Sequence, residues 1–211
     1  PAKHDPDDDR WVEIWNNVFM QYNHDEKGFI PLEHQNVDTG MGVERTTAIL
    51  EGVTDNYISS IFKPYISLIE QYSGKKYENE YMPSMRIIAD HIRAITIIIG
   101  ENSGVKPSNT DQGYIVRRLL RRAIRHENKL GINVDGDFLS KMVNAIIDDY
   151  KVYYPELETN RENTLNIIEA EKNKFTRTLE KGLKEFNKVV NCANGEISGE
   201  TAFHLYDTFG F

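Results

Sequence analysis

The chain has 211 residues, of which 39% are hydrophobic and 27% charged, and a formal net charge of −8. That length suffices for one large domain or two small ones, the balance is that of an ordinary globular protein, and the overall acidity by itself gives no reason to expect a nucleic-acid partner. The lone cysteine, Cys192, excludes an intrachain disulfide and fits an inert thiol in a reducing cytoplasm. No CxxC, HExxH or paired histidines at ligand spacing occur, so no metal site is expected.

Residues 1–10, PAKHDPDDDR, are polar and acidic, unlike a signal peptide. The most apolar stretch, 94–99, is too short to cross a bilayer, and no membrane partner is expected. The first residue is Pro rather than Met, so the sequence is expected to begin inside a longer protein. From Val12 to Tyr22 the pattern has period two, with Val12, Ile14, Asn16, Val18, Met20 and Tyr22 on one strand face. Asp25-Glu26-Lys27-Gly28 reads as a turn and Phe29 to Leu32 as a return strand, with Pro31 at an edge or an end. A helix is expected over 43–50, after Gly40-Met41-Gly42.

Beyond Gly52 the spacing predicts helices over 62–72, 84–99, 113–130 and 136–150, with Gly74, Gly100 and Gly131 as stops. The helix over 84–99 is apolar nearly all round and should be buried. A long charged helix follows over 160–190, with one apolar stripe of Leu165, Ile168, Phe175, Leu179, Phe186 and Val190. A turn and a short helix from Glu200 end the chain. The fold class expected is α+β and mostly helical: the remnant of an antiparallel sheet, followed by a helical bundle.

Three features could carry chemistry. Asn16 sits mid-strand on an apolar face, where a buried amide must find a partner inside the fold or a polar ligand. In Asp38-Thr39-Gly40-Met41-Gly42-Val43-Glu44-Arg45 a strand gives way to a helix through two glycines. That is either a plain turn or a place where backbone approaches a ligand. Arg45 lies in the first helical turn, where the dipole disfavours a cation, which hints at an external anion. The third feature is the helix 114–125, with Arg117, Arg121 and Arg125 four apart and Arg118 and Arg122 beside them. Residues 86–126 hold eight Lys/Arg and three Asp/Glu, a local charge of 8 − 3 = +5 in an acidic protein. Such a face either pairs with acidic residues of neighbouring helices or holds the phosphates of an RNA.

Several strings resemble one family. Asn36-Val37-Asp38-Thr39-Gly40-Met41-Gly42-Val43-Glu44-Arg45 is similar to the third signature motif of class II aminoacyl-tRNA synthetases in its alanyl form. The segments Glu13-Ile14-Trp15-Asn16, Ile88-Ala89-Asp90-His91-Ile92-Arg93, Pro107-Ser108-Asn109, Gly113 to Ala123 and Glu200 to Phe211 resemble the same alanyl-tRNA synthetase family, in its order and spacing. Val43 in place of a common Leu, and Thr46-Thr47 in place of apolar or small residues, are minor departures.

The resemblance implies that Asp38 holds the amino group of alanine, that Asn16 positions the amino acid and that Val18 and Gly40 line its pocket. Arg45 and Gly42 would serve ATP with its Mg2+, and Arg45 and Asp38 would carry the catalytic work. Asn109 and Asp207 match the residues that read a G·U pair in the tRNA(Ala) acceptor stem, while Arg117, Arg118, Arg121, Arg122 and Arg125 would hold its phosphates. Residues 1–55 would be the C-terminal part of an aminoacylation domain and 56–211 the helical acceptor-stem domain. The two earlier class II motifs and the zinc-dependent editing domain are not in this sequence. The 211 residues alone are therefore expected to bind RNA without forming alanyl-adenylate. The rival from another class is a stand-alone tRNA-binding module that never acts as a ligase.

Overall fold

The computed structural model describes residues 11–192 and 197–203. They fall into two compact units that divide between Pro64 and Tyr65. The first is a hairpin of β1 (Trp15–Asp25) and β2 (Gly28–Met41), followed by helix α1 (Val43–Leu50). The turn is the one written in the sequence: the Lys27 N–H donates to Asp25 Oδ1 at 2.7 Å, and Gly28 adopts φ +106°, a conformation that side chains disfavour.

β2 is far longer than the expected 29–32. Residues 33–41, EHQNVDTGM, lack alternation and contain Asp and Gly, so local preference gives no strand there. Pairing with the regular β1 supplies the order instead. The register runs Trp15↔Met41 to Met20↔Asn36, then shifts to Tyr22↔Pro31. Residues 32–35 bulge opposite Gln21 just where Pro31, which lacks an N–H, cannot extend the ladder. Both faces of this two-stranded sheet are open, and Trp15, Phe19, Val37 and Met41 are exposed on one of them.

The second unit is a helical bundle, so the chain is a mostly helical α+β protein. It contains all but the first two residues of α2 (Lys63–Ser73), and α3 (Met82–Gly100), α4 (Asp111–Leu130), α5 (Phe138–Tyr150), α6 (Pro155–Thr159) and α7 (Arg161–Cys192). α3 is its axis and packs on α4, α5, α6 and α7. Its residues Met85, Ile88, Ile92 and Ile95 are fully buried, each contributing roughly 1.5–3 kcal/mol. The polar residues of α3 are satisfied: Thr96 Oγ1 donates to Ile92 O at 2.7 Å, and Ser84 Oγ meets His126 Nδ1 at 3.0 Å.

Helix ends follow the punctuation of the sequence. Gly131 caps α4 in the left-handed region at φ +78°, its N–H bonded to Asn128 O. α7 buries Ile168 and Phe175 of the expected stripe, while Leu165, Leu179 and Phe186 are half-buried. Residues 199–203 are helical, at the place where the last helix was expected.

Candidate functional site

The hairpin register brings the residues of the expected amino-acid pocket together. Asn16 lies directly opposite Gly40, and Val18 directly opposite Asp38. Residues two apart share a face, so the four form one patch in which opposed positions lie about 4.5–5.5 Å apart. All four are exposed. The premise that Asn16 is buried is therefore corrected: its amide faces an open sheet, where water can satisfy it. A Cβ built at Gly40 would meet nothing within 4 Å, so the space above it is free.

The strand-to-helix junction is tied back to the start of β1. The Gly42 N–H donates to Ile14 O at 2.9 Å, and Arg45 Nη1 donates to Glu13 O at 2.9 Å. The second bond gives a cation in the first turn of α1 a local reason to be there, and the hint of an external anion weakens accordingly. It also holds the guanidinium at the end of the β1–β2 pair. Because the Gly42 N–H is already engaged, any contact of this residue with a phosphate would have to use its small size rather than its amide hydrogen.

In the bundle, α4 sorts its arginines. Val116, Leu120, Ile124 and Glu127 face inward, which leaves Arg118, Arg122 and Arg125 exposed on the opposite side with Lys129. Arg121 departs from the expected phosphate stripe. Its Nε and Nη2 both reach Glu171 Oε1 of α7, at 2.8 and 2.7 Å, and its guanidinium lies 5.0 Å from the Phe175 ring centroid. That ion pair is nearly buried, with Glu171 only 9% accessible at its side chain. Arg117 is half-buried and donates from Nη1 to Asn109 Oδ1. The outward stripe is thus Arg118, Arg122, Arg125 and Lys129, not Arg117, Arg121 and Arg125. The apolar positions 116, 120 and 124 carry that information, because they fix which side of the helix is inside. Asp207 lies outside the described residues.

The whole chain, residues 1–211, matches the family model described as tRNA synthetases class II (A). The chain belongs to that family. It is 45% identical over 209 residues to an alanine–tRNA ligase of Treponema pallidum (strain Nichols), covering 96% of this chain and 34% of that protein. It is 45% identical over 213 residues to an alanine–tRNA ligase of Legionella pneumophila (strain Corby), covering 100% of this chain and 24% of the relative. A Thermotoga sp. (strain RQ2) alanine–tRNA ligase is 44% identical over 204 residues, covering 95% and 23%. The chain thus spans between about a quarter and a third of the length of these class II synthetase relatives.

One cluster of this class II synthetase chain was not singled out as a site by its sequence. Asp90, at the exposed edge of α3, receives the Nδ1 of the buried His91 at 3.1 Å, and His91 Nε2 meets Arg122 Nη1 at 3.5 Å. The His91 bond holds the Asp90 carboxyl below its usual range. His126, beside Arg122 and Lys129, is pushed down by burial and then by those neighbouring cations. The only signal for the cluster was the quoted string Ala89-Asp90-His91, which has no spacing rule of its own.

A cavity of about 340 Å³ lies elsewhere, lined by Asp137, Ser140, Leu165, Asn166, Glu169 and Lys172 among others. It contains none of the expected site residues. Among the described residues no group of three or more His, Cys, Asp or Glu could hold a metal ion, and no helix is long and apolar enough to cross a membrane.

Proposed function

We propose that this chain is the part of a cytoplasmic alanine–tRNA ligase that joins the alanine-binding edge of the aminoacylation site to the helical domain for the tRNA(Ala) acceptor stem. The observation that carries the reading is the hairpin register, which sets Asn16 against Gly40 and Val18 against Asp38 in one open patch. An amide and a carboxylate beside a glycine suit a small zwitterion. The Asp38 carboxylate takes the ammonium group, Asn16 orients the carboxylate end, and Val18 with the bare backbone of Gly40 limits the side chain to a methyl group. Residues 1–55 would belong to the aminoacylation domain and 56–211 to the acceptor-stem domain.

The reaction has two steps. The alanine carboxylate displaces pyrophosphate from ATP to give alanyl-adenylate. A ribose hydroxyl at the tRNA end then attacks the carbonyl and releases AMP. Arg45, held by Glu13 O, would meet the charge that develops on the ATP phosphates, and Mg2+ accompanies ATP as its counter-ion. These residues act by positioning and electrostatics, since the acyl and phosphoryl chemistry needs little else from a protein. On the RNA side, Arg118, Arg122 and Arg125 hold phosphates and set register, while Asn109 and Asp207 read the G·U pair in the shallow minor groove.

The test is binding of the 211-residue chain to an alanine acceptor-stem microhelix carrying G·U or G·C at the recognition pair. Tighter binding to G·U, lost in Asn109→Ala, is the expected result. No salt-dependent binding to either RNA would remove the acceptor-stem role. The same 211 residues are expected to show no alanine-dependent exchange of pyrophosphate into ATP, because one edge of the pocket cannot align both substrates. Measurable exchange would overturn that division of labour.

A further inference from the structure

Asn109 is exposed in the loop that leads into α4, and its amide is not free to choose its orientation. Arg117, eight residues on, directs Nη1 at the amide oxygen Oδ1. A guanidinium has only donors, so the amide atom that meets it must be the oxygen. The Nδ2 group and its two hydrogens therefore point away from Arg117. An untethered amide could turn by half a rotation and offer either a donor or an acceptor to the same ligand.

The backbone beneath Asn109 is held as tightly. The Ser108 N–H donates to Gly113 O at 3.0 Å, Ser108 Oγ donates to Thr110 O at 2.7 Å, and the Tyr114 N–H donates to Thr110 O at 3.1 Å. A Cβ at Gly113 would stand 2.4 Å from Ser108 Oγ and 2.5 Å from Lys106 O, so only glycine lets the loop lie this close to the first turn of the helix. Asp111 adopts φ +52°, a left-handed conformation that a non-glycine residue keeps only when its surroundings impose it. Loop and amide are thus fixed before any ligand arrives.

We propose that Arg117 is a positioning residue that fixes the Asn109 amide so that Nδ2, a donor, is the group offered to the RNA base edge. This deepens the acceptor-stem reading and rests on it. Arg117 then leaves the set of phosphate contacts, in keeping with its half-buried side chain. Asn109 is matched to a hydrogen-bond acceptor on the base edge. Its discrimination comes from the fixed orientation as much as from the amide itself, since a preset donor loses no rotational freedom on binding and cannot turn to suit a wrong pair.

The experiment compares wild type, Arg117→Ala and Arg117→Lys, with and without the microhelix. Lysine is also a pure donor, so it should keep the amide turned. Arg117→Ala should bring the ratio of G·U to G·C affinity to about one while the salt slope stays unchanged, and Arg117→Lys should retain most of the ratio. If Arg117→Ala instead weakens both RNAs equally, with the slope shallower by about 0.7–0.9 and the ratio intact, Arg117 is a phosphate contact and the proposal is overturned.

The orientation is also read without RNA, from the nuclear magnetic resonance signals of the Asn109 side-chain amide. A restrained amide in wild type and Arg117→Lys that becomes mobile in Arg117→Ala supports positioning. Identical amide mobility in all three overturns it. A wild-type chain that binds G·U and G·C equally, with a restrained amide, overturns the G·U reading and with it the role of Arg117 toward RNA, leaving only the contact between Arg117 and the amide.

Discussion

Replacing Arg118, Arg122 and Arg125 together by alanine is expected to weaken acceptor-stem binding by about three orders of magnitude at about 50 mM salt. Each exposed arginine that neutralises a phosphate releases condensed counterions, and the logarithm of affinity falls with the logarithm of salt by about 0.7–0.9 per contact. Losing three contacts should therefore make the slope shallower by about 2–3, equally for G·U and G·C helices. The fold should tolerate the change, because Arg118, Arg122 and Arg125 lie on the exposed side of α4, away from the buried Val116, Leu120, Ala123, Ile124, Glu127 and Leu130, and Arg122 gives up only a 3.5 Å contact with His91.

Arg121→Ala is the matched control with the opposite signature. It removes the partner of a nearly buried Glu171 and the guanidinium over Phe175, so it should lower the melting temperature. Breaking such a pair costs roughly 2–3 kcal/mol once its residual exposure is allowed for. The salt slope of the folded protein should not change. A salt slope reduced by Arg121→Ala and untouched by the triple substitution would reverse the assignment of inner and outer arginines.

Glu127→Gln is expected to stabilise the bundle at pH 8 by roughly 2–4 kcal/mol and to change little at pH 5. Glu127 is 1% exposed on the inner side of α4, and its Oε1 has no hydrogen-bond partner among the described residues. Burial pushes its carboxyl up to about 8, nearby Lys172 opposes the shift, and Glu169 adds to it. Lys172 is itself committed to Glu169, with Nζ 2.8 Å from Oε1.

Unfolded, the Glu127 carboxyl titrates near 4.5. Between 4.5 and about 8 the folded protein keeps a proton that the unfolded chain releases. Its stabilising contribution is thus complete below about 4.5 and is lost as pH rises through about 8, with a slope approaching about 1.4 kcal/mol per pH unit. Glutamine imitates the protonated acid without a titration, so denaturant unfolding of Glu127→Gln should lack the fall in stability that Glu127 gives the wild type over this window. A variant less stable than wild type at pH 8 would mean that Glu127 is ionised and needed by Lys172.

Much of the chain is legible before folding. The Asp25–Gly28 turn, the strand alternation of β1 and the boundaries of α1, α3, α4 and α5 follow from local rules. Glycine stops, proline starts and period-two or period-3.6 spacing act over a few residues and need no distant partner. The length of β2 was not legible, because residues 33–41 take their strand conformation from pairing with β1 rather than from their own preferences. The residues of the proposed amino-acid patch were named from their motif, but that Asn16 faces Gly40 and Val18 faces Asp38 is a matter of register. A slip by one residue would send every side chain to the other face.

The arginine helix shows the same division. Five arginines at spacings of one, three and four residues follow from sequence alone. Which of them meets Glu171, which turns the Asn109 amide and which remain outside depends on the face that α4 lays against α3 and α7. Helical spacing defines stripes, and only the burial of one stripe against other helices decides the surroundings of the rest. Tertiary packing therefore divided one basic run into an internal ion pair, a positioning residue and an exposed stripe suited to phosphate. It did so because charge was left outside, or buried only beside a partner of opposite sign.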